Sequence, residues 1–425
     1  MLSRSSGPGP RPTTARICPG IFQILVFAVM VFGYALSACG QSVEVEKSLR
    51  EDRFKRIPII EVRPWRVLRN KVMAAESSLN QRIGLELGLA NTIIYQTDPY
   101  APTPHHATVQ NFDIYGAWHL IDSATFGSGM VGFVFRDRTN IGPITGNQLS
   151  ADVGLPWSVN NSGSAGYSRF NQVWWQQSMF KDTLKIQIGK IDDKTHFNTN
   201  RAASSDGREF MMQSLVYSQT IAFPAVGLGF NIHYAPVSWF YLDAGLSDAN
   251  GNPQRKPNDS VNSFFQGNYF EAVEAGFSPD LRALWSGLGE GHYRLMGWHT
   301  ARTEQHAGGA GVALSADQEI PNDLVTFLRV GYCPAKVYRT TTEVDTGIVS
   351  VAPFGREADR LGAGLTWAKP VQTPDRDQVA MELYYRFEVV EGIQVTPDVE
   401  FVFNPALRPG AGFQPVFGLR LRAFI

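Results

Sequence analysis

Cysteine is scarce in this chain: of three, Cys18 and Cys39 lie within the first forty residues and only Cys333 lies beyond them. A body with a single thiol cannot be held by a disulfide framework, so Cys333 reads as a bystander. Charge is scarce as well, at 18% Asp, Glu, Lys and Arg, where average globular chains carry about 25%. The net charge of −1 gives no basis for a nucleic-acid surface. Long apolar runs are missing after residue 40, whereas a helical membrane span needs about 20 predominantly apolar residues in a row. What the chain does have is glycine, 40 residues, and aromatic rings, 12%. Such a chain spreads its hydrophobic surface thinly. Strands with alternating apolar and polar positions do this, either in a membrane barrel or in a large soluble β-protein, and composition alone separates the two poorly.

Arg4, Arg11 and Arg16 precede the apolar run Ile21–Leu36, which is closed by Ser37, Ala38 and Cys39. Charged, then apolar, then small is the order of an export signal, so residues 1–39 are read as a signal peptide. Residues 36–39 (LSAC) also resemble a bacterial lipobox, which would make Cys39 an acylated N-terminus. A plain cut after Ser37 or Gly40 is the alternative. Residues 40–82 are read as a periplasmic segment. Its first part, Ser42–Arg56, is charged, and Arg63–Arg82 carries Trp65, Leu68, Val72, Ala75 and Leu79 at spacings of three and four. That spacing predicts an amphipathic helix, its stripe packed on the rim of whatever follows.

From residue 83 to 425 the signal is short stretches of period two between Gly, Pro, Asn and Asp turns. In Phe417–Ile425 one parity is Phe417, Leu419, Leu421, Ala423 and Ile425, and the other holds Arg420 and Arg422. Side chains alternate between the faces of a strand, so one face is apolar and the other ionised. Met381, Leu383, Tyr385 and Phe387 oppose Glu382, Tyr384, Arg386 and Glu388; Val399, Phe401 and Phe403 oppose Asp398 and Glu400; Val131, Phe133 and Phe135 oppose Arg136. A charge at the lipid-facing centre of a barrel costs about 2–4 kcal/mol, which accounts for the confinement of charge to one parity. The link after Phe387 is short, centred on Glu391 and Gly392, and the link after Phe403 is longer and rich in Pro and Gly. Outer-membrane barrels have short periplasmic turns and longer external loops. At roughly 20 residues per strand with its share of loop, the chain predicts an all-β, transmembrane antiparallel barrel of about sixteen strands, with an aqueous interior.

The segment Phe354–Leu365 (FGREADRLGAGL) runs through Thr366 to Trp367–Pro370 (WAKP). It is followed by Glu382–Phe387 (ELYYRF) and Val395–Pro405 (VTPDVEFVFNP). Upstream lie Phe112–Tyr115 (FDIY), Phe170–Phe180 (FNQVWWQQSMF), Gln187–Lys190 (QIGK), Gly245–Gly251 (GLSDANG) and Gly297–His299 (GWH). This ordered series, from about Leu85 to the end, resembles the carbohydrate-selective porins of Gram-negative outer membranes, the OprB family. The resemblance implies a barrel that admits mono- or oligosaccharides by diffusion, seated among outer-membrane lipids and lipopolysaccharide and inserted by the barrel-assembly machinery. Whether it forms a homotrimer is left open. Two features depart from the usual pattern: the chain ends on Ile425 rather than Phe or Trp, and Cys39 is lipobox-like.

No cofactor is implied, and catalytic patterns are missing. The sequence has no His-Glu-x-x-His, no Cys-x-x-Cys and no Gly-x-Ser-x-Gly elbow, so metal and hydrolase chemistry have no anchor. The pore-lining and sugar-contact candidates are Arg136, Glu382, Tyr384, Arg386, Asp398, Glu400, Arg420 and Arg422. Arginines and carboxylates offer paired donors and acceptors to hydroxyls, and a ring such as Tyr384 can stack on a pyranose. The same groups would also arise simply from lining a wet lumen and pairing across strands. Arg138, Trp157, Arg169 and Trp174 are candidates for an inward-folded constriction. Two other readings remain: a structural or surface-binding barrel with an occluded lumen, and a barrel enzyme.

Overall fold

The computed structural model describes residues 58–425 apart from 284–286, 305 and 374–375. The leader, Cys39 and the charged stretch 42–56 lie outside the described residues.

Period-two alternation becomes sixteen antiparallel strands, each hydrogen-bonded to its neighbours in sequence, with the last closing onto the first. They are β1 (Leu85–Thr97), β2 (His106–Ser123), β3 (Gly127–Asn140), β4 (Tyr167–Met179), β5 (Leu184–Ile191), β6 (Gly227–Val237), β7 (Phe240–Asp248) and β8 (Tyr269–Phe277). The second half comprises β9 (Gly291–Thr300), β10 (Gly309–Ile320), β11 (Leu324–Tyr332), β12 (Thr340–Ser350), β13 (Arg360–Pro370), β14 (Gln378–Val390), β15 (Ile393–Phe403) and β16 (Phe413–Phe424). Closure pairs Ile93 of β1 with Leu421 of β16, and Thr92 with Arg422. With no open edge, every strand satisfies its backbone within the sheet, the condition for crossing lipid.

The strand faces sort as the alternation requires. Phe417, Leu419 and Leu421 point outward and are exposed, as are Met381 and Leu383, while Arg420, Arg422 and Glu382 are buried within. The connections sort by end. Those at 141–166, 192–226 and 249–268 leave one rim, and tight turns at 124–126, 180–183, 238–239, 321–323 and 391–392 close the other. Longer links at 278–290 and 351–359 are the exceptions on the tight-turn rim. Exposed rings gather at that rim: Phe126, Phe180, Trp239, Phe277 and Phe354. An aromatic girdle of this kind sits at the membrane interface. Phe180 and Phe354 take left-handed backbone with φ of 55° and 57°, a conformation a bulky residue rarely adopts.

Before the barrel, α1 (Arg63–Ile83) starts with Pro64 in its first turn and ends on Gly84 at φ 72°, whose N–H donates to the Asn80 carbonyl. Proline at the start and left-handed glycine at the end are natural helix limits. The helix lies against the tight-turn rim. Trp65 Nε1 donates to the Glu391 carbonyl at 2.7 Å, and Arg69 donates to the Glu391 carboxylate at 2.8 Å. The face on the barrel differs from the predicted stripe. Trp65 and Val72 are partly covered and Arg69 is buried, whereas Leu68 and Leu79 stay exposed. Polar tethers to the β14–β15 turn set the rotation of the helix, and they outweigh the hydrophobic row. Glu391→Ala leaves the buried Arg69 without its carboxylate. The expected cost to docking is on the order of 1–2 kcal/mol, because the carboxylate is partly wetted. Faster proteolytic cleavage within α1, with an unchanged barrel, would report it; an unchanged cleavage rate would refute this account of the docking.

Candidate permeation site in the lumen

Two of the long external connections turn inward. In 141–166 the helix α2 (Gly146–Val153) opens with a capping box: Thr145 Oγ1 accepts the Gln148 N–H and Gln148 Oε1 accepts the Thr145 N–H. Gly154 ends it at φ 95°. Beyond it, Leu155, Trp157 and Val159 join Leu149 and Val153 against Ala368, Ala380, Val402 and Val416 of the inner wall. The loop 192–226 goes further across. Its Phe197, Tyr217, Ile221 and Phe223 cover Phe270, Met296, Trp298 and Ala313 of β8 to β10. Its Phe210 and Leu215 cover Val325, Phe327, Val349 and Tyr384 of β11, β12 and β14. The inner wall of this barrel is therefore partly apolar, and the loops are what it packs against.

Apart from a 3-10 turn at Asp193–Thr195 and the short helix α3 (Gln213–Val216), the long loop has little secondary structure of its own. Buried backbone groups need partners, and wall charges supply them. Glu382 accepts the N–H groups of Met211 at 2.5 Å and Met212 at 2.9 Å. Glu274 accepts the Asn198 N–H at 2.7 Å and Glu343 accepts that of Gln219 at 2.8 Å. Arg420 donates to the carbonyls of Asp206 and Glu209 at 2.6 and 2.8 Å, and Arg386 to that of Arg208 at 2.8 Å. At the head of the loop, burial pushes the Asp193 carboxyl up to about 7 against a hydrogen bond from Ser247 that lowers it. Burial also holds the His196 imidazole down to about 4.

Between the loop and the tight-turn rim lies a cavity of about 1040 Å³. Its wall includes Arg136, Arg201, Arg208 and Arg386 together with Asp206, Glu209 and Glu319, and the rings of Tyr217 and Tyr384. Arg136 is held by Asp113 at 2.6 Å, and Arg201 by Asp317 at 2.5 Å and Glu319 at 2.8 Å. The Asp206 carboxylate accepts from Ser162 at 2.7 Å, which links the two inward loops.

Of the eight residues singled out in the sequence, Arg136, Tyr384 and Arg386 line this cavity. Glu382 and Arg420 sit behind the loop and bind its backbone. Glu400 accepts from Gln96 at 2.6 Å. Arg422 donates to Thr92 at 3.2 Å, and Asp398 is buried beside Gly418. Trp157 lies in an inward loop. Arg138, Arg169 and Trp174 stand instead on β3 and β4, where Arg138 donates to Asn111 at 2.8 Å and Arg169 to the Pro253 carbonyl at 2.7 Å. Sequence reasoning missed Arg201, Asp206, Arg208 and Glu209. The available signal was a stretch between strands that lacks period two yet holds Phe197, Phe210, Met211, Met212, Leu215 and Phe223, far too apolar for a solvated external loop.

The chain from 138 to 423 matches the family model described as carbohydrate-selective porin, OprB family. It is 23% identical over 384 residues to Porin AaxA of Chlamydia pneumoniae, covering 84% of this chain and 83% of that protein. Porin AaxA of Chlamydia abortus is 22% identical, over 72% of this chain and 67% of its own length. Among solved structures, the high-pH structure of Pseudomonas putida OprB superposes with a TM-score of 0.68 at 15% identity, over 83% of this chain and 96% of that one. A mutant of Rh. blastica porin gives 0.50 at 12% identity, over 80% and 100%. These two likenesses are of fold. Closed barrel, inward loop and matched family lead to one assignment: the chain is an outer-membrane porin belonging to the carbohydrate-selective OprB family.

Proposed function

We propose that this porin passes neutral sugars by passive diffusion, with no catalytic step. The observation that carries the reading is the mixed-sign cavity under the inward loop. Arginines and carboxylates both line it beside two tyrosines, so a polyol meets donors and acceptors together and no single sign of charge dominates. Its volume of about 1040 Å³ lies at the top of the ~300–1,000 Å³ typical of small-molecule sites, roomy enough for an oligosaccharide to pause and leave. Outside, the apolar belt meets outer-membrane lipid and lipopolysaccharide.

The apolar packing of both inward loops favours a second reading, a barrel with an occluded lumen that serves the envelope structurally. Liposome swelling separates the two. Under the first reading, glucose-sized sugars enter reconstituted vesicles several-fold faster than amino acids of equal size. Vesicles that swell in neither solute support occlusion, and equal rates for both solutes remove the sugar preference.

A further inference from the structure

We propose that Arg329, which lines no part of the cavity, is the positioning residue that sets the width of the passage. It stands on the inner face of β11, opposite Ser315 of β10 and Asp345 of β12, and is fully buried. Each of its three nitrogens donates to the long inward loop. Nε reaches the Asn198 carbonyl at 3.3 Å, and Nη1 reaches the Leu215 carbonyl at 2.9 Å. Nη2 donates to the Ala203 carbonyl and to Ser204 Oγ, the latter at 3.1 Å. One guanidinium thus ties together three separate places along 192–226, at 198, 203–204 and 215. The planar fork of arginine suits this, whereas a lysine ammonium is a point donor.

What Arg329 fixes is the part of the loop that faces solute. Ser204 begins the half-exposed stretch that carries Asp206, Arg208 and Glu209 along the cavity wall. Two other sets of anchors hold that stretch. On the near side Arg201 is bound to Asp317 and Glu319 of β10. On the far side Arg386 and Arg420, from β14 and β16, hold the carbonyls of residues 206, 208 and 209. The stretch is a bridge strung across the lumen, and Arg329 is the support at its β11 end. Arg420, the main support at the other end, has a buried Nε with no partner, whereas all three nitrogens of Arg329 are engaged. Neighbouring Asp345 accepts from Thr366 at 2.8 Å, and the Arg329 donors remain committed to the loop.

This role rests on the lumen serving as a sugar passage, but its test does not depend on sugar. Arg329→Met and Arg329→Lys, reconstituted in planar bilayers, are compared with the parent chain in potassium chloride and then with added glucose. The barrel is checked by its heat-dependent gel migration. In an intact Arg329→Met barrel we expect single-channel conductance to rise about twofold or more, with rapid flicker, and sugar block to weaken at least several-fold. Arg329→Lys, which keeps the charge without the fork, should flicker with an intermediate conductance. Parent-like conductance and noise in either variant overturn the proposal. Should Arg329→Met not fold, Arg329→Lys alone decides it. A parent channel that glucose never blocks would defeat the sugar reading and leave the conductance result standing.

Discussion

Leu419→Arg is expected to abolish outer-membrane assembly of this barrel. Leu419 lies on the outward parity of β16, 40% exposed, in a row with Tyr95 on one side and Pro397 on the other. A guanidinium there faces lipid at the middle of the twelve-residue strand. An arginine at the bilayer midplane costs about 2–4 kcal/mol, a large share of the roughly 5–15 kcal/mol by which native proteins are stable. Phe413→Arg is the control. It lies on the same parity and strand but at the external end, where the penalty falls to about 0–1 kcal/mol. Leu419→Arg should fail to give the heat-modifiable folded band in outer-membrane fractions, and Phe413→Arg should give it. If Leu419→Arg accumulates as a folded barrel to the parent level, the outward face of β16 does not meet lipid.

The same contrast shows which parts of the fold could be read in advance. On β16 and β14 the outer residues are large and apolar and the inner ones are ionised, so parity was visible from letters alone. On β9 it was not. Tyr293 and Leu295 point out, but the inner residues alternate Arg294, Met296 and Trp298, so both faces look mixed. The reason is physical: Met296 and Trp298 meet the loop residues Phe197, Tyr217 and Ile221 rather than water. A period of two reports which face a side chain takes, and it is silent on what long-range segment covers that face. For the same reason the sequence exposed Glu382 and Arg420 as inward groups but concealed their partners. The amides of Met211 and Met212 and the carbonyls of Asp206 and Glu209 come from a loop with no periodicity to announce it. Strand number was recoverable because length divides by a nearly constant repeat. The cavity was not, because its tip residues reach it only once the loop has folded inward.

That dependence gives the other large effect. Phe210→Ala is expected to unlatch the inward loop while the barrel stays closed. Phe210 is fully buried, edge-on to Tyr384 at 4.9 Å and 5.6 Å from Phe327. Its ring lies over Gly364 of β13, where an added Cβ would come within 2.9 Å of it. Cutting a buried phenylalanine to alanine costs about 3–5 kcal/mol. The strands keep every ladder hydrogen bond, so the loss falls on the attachment of the loop rather than on the sheet. At about 1.4 kcal/mol per factor of ten, the released state gains a hundredfold or more in population. Glu382 still offers its oxygens to the next two amides, but a charged hydrogen bond contributes only about 1.5–3 kcal/mol, and it loses geometry once the ring no longer pins the chain. The expected signature is a larger, noisy conductance together with protease cleavage between 196 and 222 in an otherwise resistant, heat-modifiable barrel. Phe210→Leu, which keeps most of the volume, should restore near-parent behaviour. If Phe210→Ala conducts quietly at the parent level and resists cleavage, the ring does not latch the loop and the wall charges suffice without it.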